Sequence, residues 1–343
     1  MRYVLLVAFA LLAPLVFCQG DGMAEREAKV RKQLAKDRPY KAISLCTGAL
    51  GIEERAVFHV LRADAHNRIG QFAEAGRDAR QGLNATSGDR EALLQLAIAE
   101  QGLGDLDSAV IHYRTLLSTE DNAGVRYRLA TALQDHKDYP GALLELNGAL
   151  SSIPAGDVAR TKVLRSKGEC LALAGDTAGA SATFAEALAT TPDDPIVLNS
   201  RAWFLYAAHG QHDRAIADYD HAIKHNPNYS YAFNNRGWSR FKNGDTKGAL
   251  KDIGLAKKKK PLNPFIYRNL GIIALASGDR EEACSRFHRA LELNFTAVHG
   301  DEVERLSREN CGGSRPVQPP PAPTNAPDKP KPANPPNRTN APE

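Results

Sequence analysis

The residues best suited to chemistry crowd between His209 and His225. His209 and His212 flank a glycine turn, and His221 and His225 stand four apart, with Asp218 three before His221. On a helix, spacings of three and four put side chains on one face. Two imidazoles and a carboxylate so placed form the kind of set that holds a transition metal. The bland alternative is a solvated His/Asp surface. It is preferred, because this face is expected to be the outer one, and no metal or cofactor is assigned.

The cysteines are Cys18, Cys46, Cys170, Cys284 and Cys311. None forms a C-x-x-C pair, and no histidine follows at zinc-finger spacing, which argues against a structural metal. The chain has no G-x-S-x-G, H-E-x-x-H, P-loop or dinucleotide fingerprint. No nucleophile is spaced against a base, so an enzyme is not expected.

What would position these residues is a repeat. Ala42, Ala75, Ala109, Ala142, Ala180, Ala215, Ala249 and Ala283 recur at spacings of 33, 34, 33, 38, 35, 34 and 34. A fixed period in this range marks a solenoid. Eight units then run from about Ala24 to Phe295. Each reads as two helices. Gly104-Asp105, Gly175-Asp176, Gly244-Asp245 and Gly278-Asp279 end a first helix and cap a second. Glu282, three after Asp279, adds a capping-box spacing. Pro154, Pro192, Pro227 and Pro261 follow second helices, where proline cannot continue a helix.

Small residues sit seven before the turn at Ala63, Ala97, Ala130, Gly168, Gly237 and Gly271. They should let paired helices approach closely. Tyr113, Leu146, Phe184, Tyr219, Ile253 and Phe287, each four after the recurring alanine, should fill the core. The sixth unit carries one extra residue between Ala202 and Gly210.

This order of small residue, turn glycine, small residue, aromatic, small residue and proline resembles the tetratricopeptide repeat family over roughly four-fifths of the chain. Units four to eight carry it strongly, whereas units one to three depart from it: Gly82 and Leu116 replace the second alanine, and Ala79 replaces the aromatic. The resemblance implies an all-α fold, a right-handed superhelical solenoid of about eight helix-turn-helix repeats, over residues 24–311. A short capping helix, Asp301 to Asn310, should close its C-terminal end. The resemblance also implies a binding scaffold whose first helices line a concave groove for extended peptides. Polar residues on those helices are Lys162, Arg165, Asn199, Arg201, Asn234, Asn235, Arg268 and Asn269. Asparagine amides can bond a peptide backbone, and arginine can pair with a carboxylate. The set is similar in residue type to the family's carboxylate clamp without reproducing every clamp position, and solvated groove residues with no single ligand are the competing reading. A second functional reading is an accessory or sensor subunit that uses the His-rich sixth unit to bind a metal or ligand.

Met1 to Gly20 has Arg2 followed by an apolar run to Phe17, the form of a secretory signal. An exported bacterial protein is expected, in the periplasm, at the outer membrane or cell surface, or secreted. Leu15 and Val16 before Cys18 fit a lipoprotein signal and Phe17 departs from it, so lipidation at Cys18 and ordinary cleavage both stay open. Lipidation would be the protein's only tie to a membrane. Export permits disulfides. A Cys284–Cys311 bridge would staple the capping helix to the last unit, and free thiols are the alternative. Cys46 and Cys170 read as buried thiols. Partners should be proteins, since a net charge of +4 gives no reason to invoke nucleic acid. The Lys257 to Lys260 run reads as a solvated helix end that complements the helix dipole. Residues 312–343 hold eleven of the chain's twenty prolines and should remain an extended, disordered tail.

Overall fold

The computed structural model describes residues 22–296 and 300–312. The expected signal with Cys18 and the proline-rich tail beyond Gly312 lie outside the described residues. Among the described residues there are 17 helices and no strand. None of those helices is long and apolar enough to cross a membrane.

Eight helix pairs follow one another. They are α1 (Gly22–Ala35) with α2 (Pro39–Leu50), α3 (Ala56–Arg68) with α4 (Phe72–Ala85), and α5 (Arg90–Leu103) with α6 (Leu106–Thr119). Next come α7 (Ala123–Asp135) with α8 (Tyr139–Ser151) and α9 (Ala159–Leu173) with α10 (Thr177–Thr190). The last three are α11 (Pro195–Arg201) with α12 (His212–His225), α13 (Ser230–Lys242) with α14 (Thr246–Lys259), and α15 (Pro264–Ala276) with α16 (Arg280–Glu292). A final helix, α17 (Glu302–Asn310), packs on α16. Each helix packs on its sequence neighbours, and first helices also meet the first helix of the next unit, as in α7 with α9 and α13 with α15. This nearest-neighbour pattern is that of a solenoid.

The turn inside every unit uses the left-handed backbone region. Asp37, Gly70, Gly104, Lys137, Gly175, Gly210, Gly244 and Gly278 occupy the same repeat position, with φ between 48° and 89°. Glycine takes this region freely, while a residue with a Cβ is strained there. Asp37 and Lys137 therefore keep the turn at a cost. One residue later, Asp105, Asp138, Asp176, Asp245 and Asp279 cap the second helices through their carboxylates. The capping box at Asp279 is only half formed. Asp279 accepts from the Glu282 backbone N–H, but the Glu282 carboxylate turns instead to Arg286, 2.7 Å away.

The small positions are filled as their spacing predicts. A Cβ built on Gly168 would meet the Phe184 ring at 2.9 Å, one on Gly237 would meet Ile253 at 2.7 Å, and one on Gly271 would meet Phe287 at 2.4 Å. Tyr113, Leu146, Phe184, Tyr219, Ile253 and Phe287 are wholly buried and form the row between paired helices. Leu146, Phe184, Ile253 and Phe287 each contribute about 1.5–3 kcal/mol by leaving water. Cys46 takes the same position in the first unit and is equally buried.

The extra residue of unit six is absorbed without breaking the helix pair. The first helix continues from α11 as a π turn over Ala202–Tyr206 and a 3-10 turn over Ala207–His209. A π turn takes up one surplus residue inside a helix. Gly210 thereby reaches its usual turn conformation, with φ 74°.

Cys284 and Cys311 are joined by a disulfide, with Cα atoms 5.6 Å apart. It fastens the end of α17 to α16. Val303 is wholly buried beneath α17, and Arg280 donates to the Asn310 carbonyl.

Candidate functional site

The first helices of units three to eight line one cleft of ≈ 550 Å³. Its floor is polar. Asn235 Nδ2 donates to Asn199 Oδ1 at 3.0 Å, and Asn234 Nδ2 to Asn235 Oδ1 at 3.3 Å. Asn269 Nδ2 donates to Asn234 Oδ1 at 3.2 Å. Arg268 Nη1 donates to Asn269 Oδ1 at 2.8 Å. The Arg268 guanidinium then forks onto Glu302 of α17, Nε at 3.0 Å and Nη2 at 2.5 Å. One hydrogen-bonded chain therefore runs from unit six, through units seven and eight, to the capping helix.

The repeat geometry builds this chain. Asn199 and Asn234 stand three before their unit's small residue, while Asn235 and Asn269 stand two before theirs. Adjacent first helices are offset so that the first position of one unit meets the second of the next. Arg268 is the third member of the Asn199 and Asn234 series. Among the described residues no ninth pair follows it, and it meets Glu302, 34 residues further on. Helix α17 thus stands where the first helix of another unit would begin.

Aromatic side chains form the walls. Trp203 and Phe204 come from the π turn, Tyr229 and Trp238 from unit seven, and Tyr127 from unit four. The Arg268 guanidinium lies over the Trp238 ring, 4.5 Å from its centroid. Such stacking adds about 0.5–2 kcal/mol to a cation's attachment. Lys260 Nζ donates to the hydroxyl of Tyr231, which borders the cleft, at 2.7 Å, and sits over that ring. Lys259 donates to Asn228 at 3.0 Å. The lysine run is thus partly spent on aromatic and amide neighbours rather than left to solvent.

Five of the eight polar residues expected in the groove line it: Asn199, Asn234, Asn235, Arg268 and Asn269. The other three do not. Arg201 turns toward its own second helix and makes a two-pronged pair with Asp218, both bonds at 2.7 Å. Arg62 with Asp78 and Arg236 with Asp252 repeat this pair in units two and seven. Arg165 is 3% exposed, bonded to Glu169 at 2.7 Å, and Ser200 also donates to that carboxylate at 2.6 Å. Burial works against the Arg165 charge, yet Glu169, Tyr127 and Tyr229 hold its pKa above the ordinary value. Lys162 is exposed, with Nζ 4.7 Å from the centroid of the Tyr127 ring.

The Arg201–Asp218 pair also rules out the Asp218, His221 and His225 set considered on α12. Asp218 faces inward and is taken by Arg201, so it is not available to His221 and His225. Asp193, in the turn before α11, meets them instead.

A stack of helix pairs with a polar-floored, aromatic-walled inner cleft defines a helical-repeat scaffold. The tetratricopeptide repeat profile matches residues 91–122, 218–251 and 266–297. The chain carries tetratricopeptide repeats at these residues, and such repeats support a protein–protein interaction scaffold. Solved structures agree on the fold. A tetratricopeptide repeat protein from Parabacteroides merdae is 17% identical, with TM-score 0.57, over 85% of this chain and 100% of that one. Yeast Tom70 is 16% identical, with TM-score 0.65, over 88% of this chain and 66% of that one. The Cut9–Hcn1 hetero-tetramer of APC/C is 11% identical, with TM-score 0.55, over 84% of this chain and 57% of that one.

Proposed function

We propose that this protein is an exported scaffold that holds an extended, carboxylate-bearing peptide segment of a partner protein in the concave cleft. The observation that carries the reading is the unbroken chain Asn199–Asn235–Asn234–Asn269–Arg268–Glu302 along the cleft floor. Asparagine amides offer both donors and acceptors to a peptide backbone. The Arg268 fork offers two parallel bonds to a carboxylate, and Glu302 already fills that fork as an incoming carboxylate would. The aromatic walls supply apolar contact for flanking side chains. An acidic side chain or a free C-terminus of the partner is the group that exchanges with Glu302.

Export is supported by the apolar run after Arg2 and by the Cys284–Cys311 disulfide, since disulfides persist in oxidising compartments. The assembly of Cut9 with Hcn1 is an example of this fold joined to another chain.

The test uses immobilised random peptides in two matched pools, one with free and one with amidated C-termini, probed with the chain and with Arg268→Ala. Retention of acidic or free-carboxylate peptides by the native chain, lost in the variant, is the expected result. Equal retention by both proteins, or by neither, overturns the reading.

A further inference from the structure

Away from the cleft, three side chains from two units converge on one point. His221 Nε2 lies 2.8 Å from Asp193 Oδ1, and His225 Nε2 lies 3.5 Å from the same oxygen. The imidazole rings are 4.9 Å apart, centroid to centroid. All three ligand atoms lie within 4.8 Å of one another. We propose that Asp193, His221 and His225 form a binding site for a divalent transition-metal ion of the zinc or nickel type.

The geometry is close to what such an ion requires. Zinc binds imidazole nitrogen at about 2.0–2.1 Å and carboxylate oxygen at about 2.0–2.2 Å, in a tetrahedron. Ligand atoms around such an ion are then about 3.4 Å apart. The observed separations from Asp193 fall on either side of that value. Imidazole with a single carboxylate suits zinc, nickel or copper, whereas calcium and magnesium take oxygen ligands.

The frame is built before any ion arrives. His221 and His225 are one helical turn apart on α12, so their rings project from the same face. Asp193 lies in the turn between α10 and α11. That turn is held by Asp194, whose carboxylate accepts from Ile196 and Val197 and whose N–H donates to the Thr191 carbonyl at 3.2 Å. The other acidic groups of α12 are engaged elsewhere: Asp218 by Arg201, Asp220 by Arg236 at 2.6 Å, and Asp213 by Asn243 at 2.6 Å. The one carboxylate left to the imidazoles comes from the neighbouring unit's boundary. A bound ion would therefore bridge the turn after unit five to the second helix of unit six. Three protein ligands leave a fourth position for water or for a side chain of another molecule, and the side chains are 33% to 57% exposed, so that position is reachable.

The experiment takes the full chain without a histidine tag, stripped with chelator, and titrates Zn2+ by calorimetry and Co2+ by visible absorption. The same titrations are run on His221→Gln/His225→Gln, on Asp193→Asn, and on His136→Gln as a control. His136 is an exposed histidine with one carboxylate neighbour, Asp107, at 3.2 Å. Circular dichroism confirms that each variant is folded. The native chain and the control should bind one equivalent and gain thermal stability, as any ligand selective for the folded state provides. The double-histidine variant should lose more than about a hundredfold in affinity, beyond the loss of about 10–100-fold expected for a group that only supports a ligand, and Asp193→Asn should fall between. Binding that is equal in the native chain and the double variant, or no binding by either, overturns the site. Peptide retention by the cleft should not change in the double variant, so the two proposals fail independently.

Discussion

Arg268 and Glu302 close the C-terminal end of the cleft, the guanidinium gripping the carboxylate with Nε at 3.0 Å and Nη2 at 2.5 Å. The pair joins the last full unit to the capping helix. It also fills the anion site that Arg268 offers to the cleft with a group belonging to the chain itself. An incoming carboxylate must therefore displace Glu302, and the exposure of Glu302, 37% of its side chain, leaves it free to swing outward.

Replacing Glu302 by Gln should raise affinity for an acidic peptide by about tenfold, equivalent to about 1.4 kcal/mol. Titration of a fluorescent acidic peptide reads this directly. Stability should fall modestly, by about 1–2 kcal/mol, because the pair is only partly buried and Gln keeps one hydrogen-bond acceptor for Arg268.

The disulfide holds that competitor in place. Cys284 and Cys311 are 27 residues apart in sequence, and closing a loop of that length is worth about 3.5 kcal/mol. The Cys284→Ser/Cys311→Ser chain should melt lower, with hydrogen exchange rising first over residues 302–310. Because a loosened α17 withdraws Glu302 from Arg268, the same variant should bind acidic peptide more tightly than the native chain.

Lys137 holds a left-handed turn, φ 64°, in a position that glycine occupies in six of the eight units. Lys137→Gly should stabilise the chain by about 0.5–1 kcal/mol, the relief of Cβ strain exceeding glycine's extra unfolded-state entropy. A rise in the thermal midpoint checks it.

Gly271 has no room for a side chain. Its Cβ would lie 2.4 Å from the Phe287 ring. Gly271→Ala should cost about 1–3 kcal/mol through overpacking, despite alanine's better helix propensity. Equilibrium denaturation measures the balance. Pairing it with Phe287→Leu should recover part of the loss, because the contact itself is removed.

Burial pushes the Cys46 thiol from an ordinary value of 9.0 up to about 12. Between those values the unfolded chain releases this proton and the folded chain keeps it. The unfolded state then binds fewer protons, and stability falls as pH rises. Cys46→Ala should show a shallower loss of stability between pH 9 and 12 than the native chain. In native buffer Cys46 should also resist alkylation, since the thiolate is the reactive form.

The repeat made much of this architecture legible from residue types alone. Gly168, Gly237 and Gly271 announced close helix contacts, and their partners Phe184, Ile253 and Phe287 lay at the expected offset. The surplus residue before Gly210 was visible as a broken count, but not its outcome. Whether a chain extends a loop or tightens into a π turn depends on what it packs against, and here it turns Trp203 and Phe204 into the cleft wall. The cleft floor was half legible. Asn199, Asn234, Asn235, Arg268 and Asn269 share recurring offsets and do face inward. Arg201 sits one before its small residue and faces the second helix instead, as Arg62 and Arg236 do. The signal that separates them was present: an aspartate 16 or 17 residues later, matching each arginine. Glu302 and Asp193 were not legible as site residues, because their roles depend on how α17 and the turn before α11 fold back, which helical spacing does not encode.

The measurement that bears most directly on the cleft is affinity capture from envelope extract with mass spectrometry, run side by side on the native chain, Glu302→Gln and Asn234→Ala/Arg268→Ala. The predicted result is one set of partners held by the native chain, enriched on Glu302→Gln and lost from the double variant. The same partners in equal amount on all three would contradict a groove-borne carboxylate and move binding to another face of the solenoid.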